Sequence, residues 1–312
     1  MNSFHFKNKL TIIAGPCSVD NDNIEDILKI SKVSVTNRFG RKQKAVAGTR
    51  IVGLKSRTAL NKDGKNMGID FPIFMENLEK LLNGTSTKEL VPMPSIKIAE
   101  MIIKKTGMMI ATEVMSPLVQ LPLFEKPIFK NKLLIWNPSV NQLGWPVLKM
   151  GKIAKRNGWF VGLKNGKWLG DDFHGQSSME KTWIGLAKFT GFEEPGLDDK
   201  LILIHRGVDI ANKGDYRSLP VHHIAKNTKL ATKAKLFFDP SHSYGPHLRD
   251  SIVKGTIEAM QIKNDENEYL YDGILVETGR SKTDTEQHIT IKELQTMCNE
   301  LAKFRDLVAP EN

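Results

Sequence analysis

Cysteine is nearly absent: the 312-residue chain carries two, Cys17 and Cys298. Two thiols so far apart argue against a disulfide-stapled scaffold and for a reducing compartment. Long apolar runs are missing too. No stretch approaches the ~20 apolar residues that span a bilayer. The opening "MNSFHFKNKLTIIAG" has neither the long apolar core nor the small-residue cleavage site of a secretory signal. A cytoplasmic enzyme with no membrane partner is the expectation. A nucleic-acid-binding motif is also missing. The net charge of +10 comes from scattered lysines and arginines rather than a stripe, so nucleic acid is not expected as a partner. A solvated, lysine-rich surface explains most of that charge, and a cleft that gathers small phosphorylated anions is the other reading.

What is present is ordinary in bulk, 40% hydrophobic and 26% charged, as in soluble globular proteins. The order is informative. Short apolar runs recur along the chain: "LTIIAG" (10–15), "TRIVGLK" (49–55), "MMIATEVM" (108–115), "LLIWN" (133–137), "WFVGLKN" (159–165), "LILIHRG" (201–207), "KLFFDPSH" (235–242) and "GILVETG" (273–279). Helix candidates lie between and after them, at 23–35, 72–84, 95–107, 179–191 and 290–304. Strands without polar alternation, interleaved with helices, imply parallel strands buried on both faces. Eight such units over this length predict one (β/α)₈ TIM barrel, residues 1–312, with no internal domain boundary.

The polar residues fall at the ends of the runs: Cys17, Lys55 with Arg57, Glu113, Asn137, Lys164, Arg206, His242 and Glu277. A barrel gathers its C-terminal strand ends on one face, where catalysis is built. Cys17, His242 and Glu277 are metal-ligand types, and Asp284 lies seven residues beyond Glu277. The first and eighth strands of a closed barrel are neighbours, so these four can meet. A thiolate, an imidazole and two carboxylates suit Mn²⁺, Fe²⁺, Co²⁺ or Zn²⁺, with room for a substrate oxygen. Each has a plainer alternative. A lone cysteine is commonly a small buried residue, His242 could be a loop histidine, Glu277 could pair with a barrel lysine, and Asp284 could cap a helix.

Cations crowd the same face. Arg50, Lys55, Arg57, Lys164 and Arg206 outnumber the nearby acids Glu113 and Asp239. An unpaired buried charge is costly, so either interlocked salt bridges or a polyanionic ligand neutralises them. Arginine's planar fork suits phosphate and carboxylate.

With these residues assembled, the chain resembles the type I 3-deoxy-arabino-heptulosonate 7-phosphate (DAHP) synthases and, more distantly, the 3-deoxy-octulosonate 8-phosphate synthases. The matching segments run in order: Gly15-Pro16-Cys17-Ser18, Arg50 with Lys55-Ser56-Arg57-Thr58, Ala111-Thr112-Glu113, Gly162-Leu163-Lys164-Asn165-Gly166, His205-Arg206-Gly207, Asp239-Pro240-Ser241-His242 and Val276-Glu277. The resemblance implies a metal-dependent, aldol-type condensation of phosphoenolpyruvate (PEP) with a phosphorylated aldose, by default erythrose 4-phosphate. The products would be a 3-deoxy-2-keto sugar acid phosphate and inorganic phosphate, within the shikimate pathway and aromatic amino acid biosynthesis. It assigns the metal to Cys17, His242, Glu277 and Asp284, PEP to Arg50, Lys55, Lys164 and Arg206, and the sugar phosphate to Arg57 and Thr58. Lys164 and Glu113 are its candidates for proton handling. It also implies a homo-oligomer, a dimer or tetramer. With motifs starting near residue 12, no separate N-terminal regulatory domain is expected.

The chain departs from the family pattern where a phosphate-binding arginine would end the fourth strand: Asn137 stands there, in "IWNPSVNQ". "KSRT" replaces KPRT, and 167–201 has no recognised counterpart. The alternatives are a synthase of the same superfamily with another aldose acceptor, or a non-catalytic barrel that binds metal or sugar phosphate.

Overall fold

The computed structural model describes residues 8–56, 67–167, 173–192, 198–281 and 286–310. In chain order they form β1 Lys9–Gly15, α1 Ile24–Ile30, β2 Ser34–Thr36, β3 Lys42–Lys44, β4 Gly48–Arg50, α2 Phe71–Leu82, α3 Pro94–Thr106, β5 Met109–Glu113 and α4 Pro117–Phe124. There follow β6 Leu133–Trp136, α5 Gly144–Asn157, β7 Phe160–Lys164, α6 Phe173–Thr190, β8 Leu201–His205, α7 His222–Thr232, β9 Lys235–Phe238, α8 Pro240–Tyr244, α9 Ile252–Ala259, β10 Gly273–Glu277, α10 Ile291–Ala302 and β11 Asp306–Leu307. Strands β1 and β4 to β10 pair in sequence, all parallel, and β10 returns to pair with β1. The result is a closed eight-stranded (β/α)₈ barrel.

Side-chain parity divides its core in two. Ile13, Ala111, Leu134, Trp136, Ile202, Ile204, Phe237 and Leu275 fill the barrel. Their neighbours Ile12, Ile110, Ile135, Leu203, Phe238, Ile274 and Val276 pack outward with the helices. Both faces are therefore apolar, which is why the strands show no polar alternation. The inward positions run up to the C-terminal rim, where the fill changes from hydrocarbon to charge.

The local differences from expectation have local causes. The helix expected over 23–35 ends at Ile30. Val33 and Val35 instead belong to a buried stretch whose β2 pairs antiparallel with β3, as β-branched residues favour. Asn37 turns that hairpin, its Oδ1 accepting from the amides of Phe39 and Arg41, both at 3.0 Å. The run 49–55 is a strand only to Arg50, after which 51–55 continue as buried irregular chain. The run 235–242 leaves the sheet at Phe238, because Pro240 has no amide to donate. His242 therefore sits in the short helix α8, not on a strand. At the opposite end of the barrel, buried Arg305 donates to four carbonyls, those of Asn8 (3.3 Å), Lys9 (3.0 Å), Met260 (3.2 Å) and Tyr271 (2.9 Å). This pins the C-terminal segment under the strands, where Val308 also bonds Leu10 at 3.0 Å.

Behind β8, outside the barrel, two imidazoles share one phenol. His205 Nδ1 and His222 Nδ1 lie 2.8 and 2.7 Å from Tyr271 Oη. Tyr271 can donate to one and accept from the other only while at least one ring is neutral. Burial holds His205 well below the ordinary histidine range, and burial with His223 nearby lowers His222 to about 4. In the unfolded chain both protonate near their ordinary value, so the contribution of neutral histidine to stability is complete at pH 7 and is lost as pH falls from about 6.5 towards 4. His222 alone should lower the unfolding free energy by about 2 kcal/mol between pH 7 and pH 5. Urea titrations at the two pH values check this, and H222F should show a shallower dependence than the parent.

Candidate active site

The C-terminal rim is assembled by register. Pairing of β1 with β10 sets Gly15 beside Glu277, so Cys17, two residues on, leaves the barrel at the strand end that carries Glu277. On the other side of β10, the Glu277 amide donates to Ser241 Oγ at 2.9 Å, which seats α8 and His242 against the same strand end. Three residues far apart in sequence are thus brought to the junction of the first and last strands.

Glu277 is fully buried and contacted on both oxygens. Its Oε1 accepts from Arg50 Nη2 at 3.0 Å and faces His242 Nε2 at 3.8 Å. Its Oε2 accepts from Gln287 Nε2 at 2.6 Å and lies 3.9 Å from His288 Nε2. Burial alone would raise its pKa, but Arg50, then His242, His288 and Lys55, outweigh burial and hold the carboxyl far below its usual range. His242 Nδ1 lies against the Asp239 carboxylate, 2.9 Å from Oδ2 and 3.0 Å from Oδ1. Burial lowers His242 to about 4, partly opposed by Asp239. The ring is therefore neutral near pH 7, with Nε2 left as a lone pair aimed at Glu277. Carboxylate on one imidazole nitrogen and an open lone pair on the other is the arrangement that orients metal-binding histidines. The Cys17 sulfur accepts from Lys55 Nζ at 2.6 Å, and the Cys17 amide donates to His288 Nε2 at 3.3 Å.

The cations are arranged around the barrel axis. Arg50 is 2% exposed, and its Nε and Nη1 have no hydrogen-bond partner among the described residues. Burial opposes its charge, but Glu277, Asp239, Cys17 and Glu113 keep its pKa raised. Lys164, the last residue of β7, pairs with Asp239 at 3.2 Å. Burial would push Asp239 up, yet His242 and Lys164 hold it well below the usual carboxylate range. Arg206 donates from Nη1 to Ser218 Oγ at 2.9 Å and has an unpartnered, buried Nε. Burial, with Arg217 nearby, lowers its pKa to about 10. Among the described residues, then, Arg50 and Lys164 each meet a carboxylate. The charge surplus expected from sequence is smaller than a count suggests, because Glu277 is itself a partner of Arg50.

Trp136 was invisible to motif reading. Its ring lies under both cations, 5.8 Å from the Arg50 guanidinium and 5.3 Å from Lys164 Nζ, and its Nε1 donates to Glu113 Oε1 at 3.2 Å. The signal was parity: Leu134 and Trp136 point inward, so the indole must lie at the mouth. Gln287 and His288 were missed as well. They stand just beyond Asp284 in "TDTEQHIT", where a chain reaching back to the Glu277 strand end brings them over it.

Asn137 has a role that its residue type did not reveal. Its Oδ1 accepts from the Lys164 amide at 2.9 Å, and its Nδ2 donates to the carbonyls of Asn141 (3.0 Å) and Pro138 (3.3 Å). The side chain ties β6 to β7 and sets the backbone from which Lys164 projects. Arg57, Thr58 and Asp284 lie outside the described residues. Among the described residues, no group of three or more His, Cys, Asp or Glu side chains closes on a common point as a metal cage would. The donor chemistry of sulfur, imidazole and carboxylate around Glu277 nonetheless fits a divalent transition ion. No helix among the described residues is long and apolar enough to cross a membrane.

The architecture matches solved structures. The crystal structure of phospho-2-dehydro-3-deoxyheptonate aldolase (DAHP synthase) from Thermotoga maritima superposes with a TM-score of 0.66 at 20% identity, covering 95% of this chain and 69% of that one. The truncated form of 3-deoxy-D-arabino-heptulosonate 7-phosphate synthase from Thermotoga maritima gives 0.62 at 19% identity, covering 95% and 86%. No family model matches the chain, and no curated protein matches its sequence. The likeness is one of fold: a DAHP-synthase-like barrel.

If Asn137 is a backbone tie, N137A should lower the unfolding free energy by about 2–3 kcal/mol, the sum of three modest hydrogen bonds. Chemical denaturation measures this directly. An unchanged midpoint would show the residue to be structurally idle.

Proposed function

We propose that the protein catalyses the metal-dependent, aldol-type condensation of phosphoenolpyruvate with a phosphorylated aldose, erythrose 4-phosphate by default. The products are a 3-deoxy-2-keto sugar acid phosphate and inorganic phosphate. The observation that carries this is the pair of buried guanidiniums, Arg50 and Arg206, with N–H groups that have no partner among the described residues, at the barrel mouth that also carries Cys17, His242 and Glu277. Buried unsatisfied donors are uncommon in folded proteins, and an anion with a carboxylate and a phosphate supplies acceptors for them. The fold likeness supports the same reading.

In this reading Arg50, Lys164 and Arg206 hold PEP, with Lys55 beside Cys17, and Asn137 acts through the backbone of Lys164. Arg57 and Thr58 take the distal phosphate of the sugar. Fixing PEP in this way sets its C3 against the aldehyde carbon. A carbon–carbon bond forms between them, and the aldehyde oxygen takes up a proton. Water then adds at C2 and phosphate leaves, generating the 2-keto group. In this reading Lys164 and Glu113 move these protons, with the Trp136 indole donating to Glu113. Cys17, His242, Glu277 and Asp284 would hold a divalent ion, which would supply Lewis acidity when bound. A different aldose acceptor is the second reading, favoured by Asn137, which puts an amide tied to backbone where the resemblance expects a phosphate-binding arginine.

The test is PEP consumption and phosphate release by the purified chain with Mn²⁺ or with EDTA, against erythrose 4-phosphate, arabinose 5-phosphate and unphosphorylated aldoses. Turnover with Mn²⁺ and erythrose 4-phosphate, abolished by EDTA, is expected. K164M should lower kcat/KM by ~10²–10⁴ and, by leaving buried Asp239 without its lysine, should also destabilise the fold, so the kinetics are read on protein shown to be folded by circular dichroism. Turnover confined to another aldose establishes the second reading. No PEP loss with any acceptor, with Mn²⁺ bound, sinks both.

A further inference from the structure

Gln287 hydrogen-bonds Glu277, and it uses both ends of its amide. Its Nε2 donates to Glu277 Oε2 at 2.6 Å, and its Oε1 accepts from Arg217 Nη1. The residue is fully buried. Arg217 is adjacent in sequence to Ser218, whose Oγ accepts from Arg206 at 2.9 Å. Both residues are fastened to α8: Arg217 N donates to Tyr244 O at 3.2 Å and Ser218 N to Ser243 O at 3.0 Å. Gly245, with φ +70°, leaves room for Arg217, whose Cβ would lie 2.4 Å from any added Cβ. A continuous bridge therefore runs from the Arg206 end of the rim through Arg217 and Gln287 to the carboxylate held by Arg50 and facing His242.

We propose that Gln287 is a positioning residue that couples anion binding at Arg206 and Arg217 to the orientation of Glu277, so that PEP and a divalent metal bind cooperatively. The inference rests on reading the rim as a PEP and metal site. Only an amide serves here. It donates to a carboxylate and accepts from a guanidinium at once, whereas glutamate would set like charges together and methionine has no comparable donor. An anion drawn towards Arg206 and Arg217 pulls on Gln287 Oε1. Because the amide is one planar unit, Nε2 and with it Glu277 must respond. Linkage makes the effect reciprocal: whatever PEP does to metal affinity, metal does to PEP affinity.

The experiment is calorimetric titration of Mn²⁺ into the full chain, with and without saturating PEP, for the parent, Q287M and R217M. Far-UV circular dichroism and melting temperature serve as controls for folding. In the parent, PEP should tighten Mn²⁺ binding at least about fivefold, the low end of coupled sites. In Q287M, Mn²⁺ alone should bind about 10–100-fold more weakly, as when a group orienting a metal ligand is lost, and PEP should no longer change it. R217M breaks the bridge from its other end and should abolish the PEP effect even if Q287M misfolds. Parent-like coupling in either folded variant overturns the proposal, as does independent binding of Mn²⁺ and PEP to the parent, which would leave the proposed activity standing. A parent chain that binds no Mn²⁺ at all overturns the metal reading and this inference together.

Discussion

The closure of β10 onto β1 is the constraint on which the rest depends. It places Gly15 opposite Glu277, and from that one pairing follow the arrival of Cys17 at the strand end that carries Glu277 and the reach of Arg50 across to that carboxylate. A slip of one residue would turn every inward side chain outward, exchanging the charged rim with the hydrocarbon layer behind it. The register is held by apolar burial on both faces, Ile13 and Leu275 inside, Ile12, Ala14 and Val276 outside.

Given that closure, the electrostatics of the rim form a single network rather than a set of pairs. Arg50 stabilises Glu277, Lys164 stabilises Asp239, and Asp239 orients His242, whose other nitrogen faces Glu277 again. Burial weighs against the charges of Arg50, Asp239 and Glu277 taken alone, and in each case the neighbouring charges outweigh it. Removing one partner of such a pair leaves an uncompensated buried charge, which costs far more than the pair contributes. The same network leaves donors of Arg50 and Arg206 unfilled. A fold held only for stability has no use for these, and an anionic ligand does.

Trp136 connects the apolar interior to this chemistry. It belongs to the hydrophobic fill of the barrel, yet its face supports two cations and its indole nitrogen orients Glu113. Asn137, the next residue, points the other way and locks β6 to β7. Adjacent residues at one strand end thus divide the work: one shapes the floor of the site, the other fixes the backbone of Lys164.

The sequence by itself determined the barrel, because eight apolar runs without polar alternation admit few other architectures, and it marked the rim, because reactive side chains stood at the strand ends. It also suggested Cys17, His242, Glu277 and Asp284 as one group, through the adjacency of first and last strands; Asp284 lies outside the described residues, and the other three do not close on a common point. Only the tertiary structure decided how these groups are used. That Glu277 is the partner of Arg50, that Asn137 serves the backbone, and that Gln287 joins two halves of the rim all depend on which side chain reaches which in three dimensions. Residue type announces a capacity for hydrogen bonds and charge, but the partner that satisfies it comes from a strand or loop distant in sequence. The short boundaries at Ile30, Arg50 and Phe238 were hidden for the same reason: local propensity there yields to the hairpin, loop and helix that tertiary packing rewards.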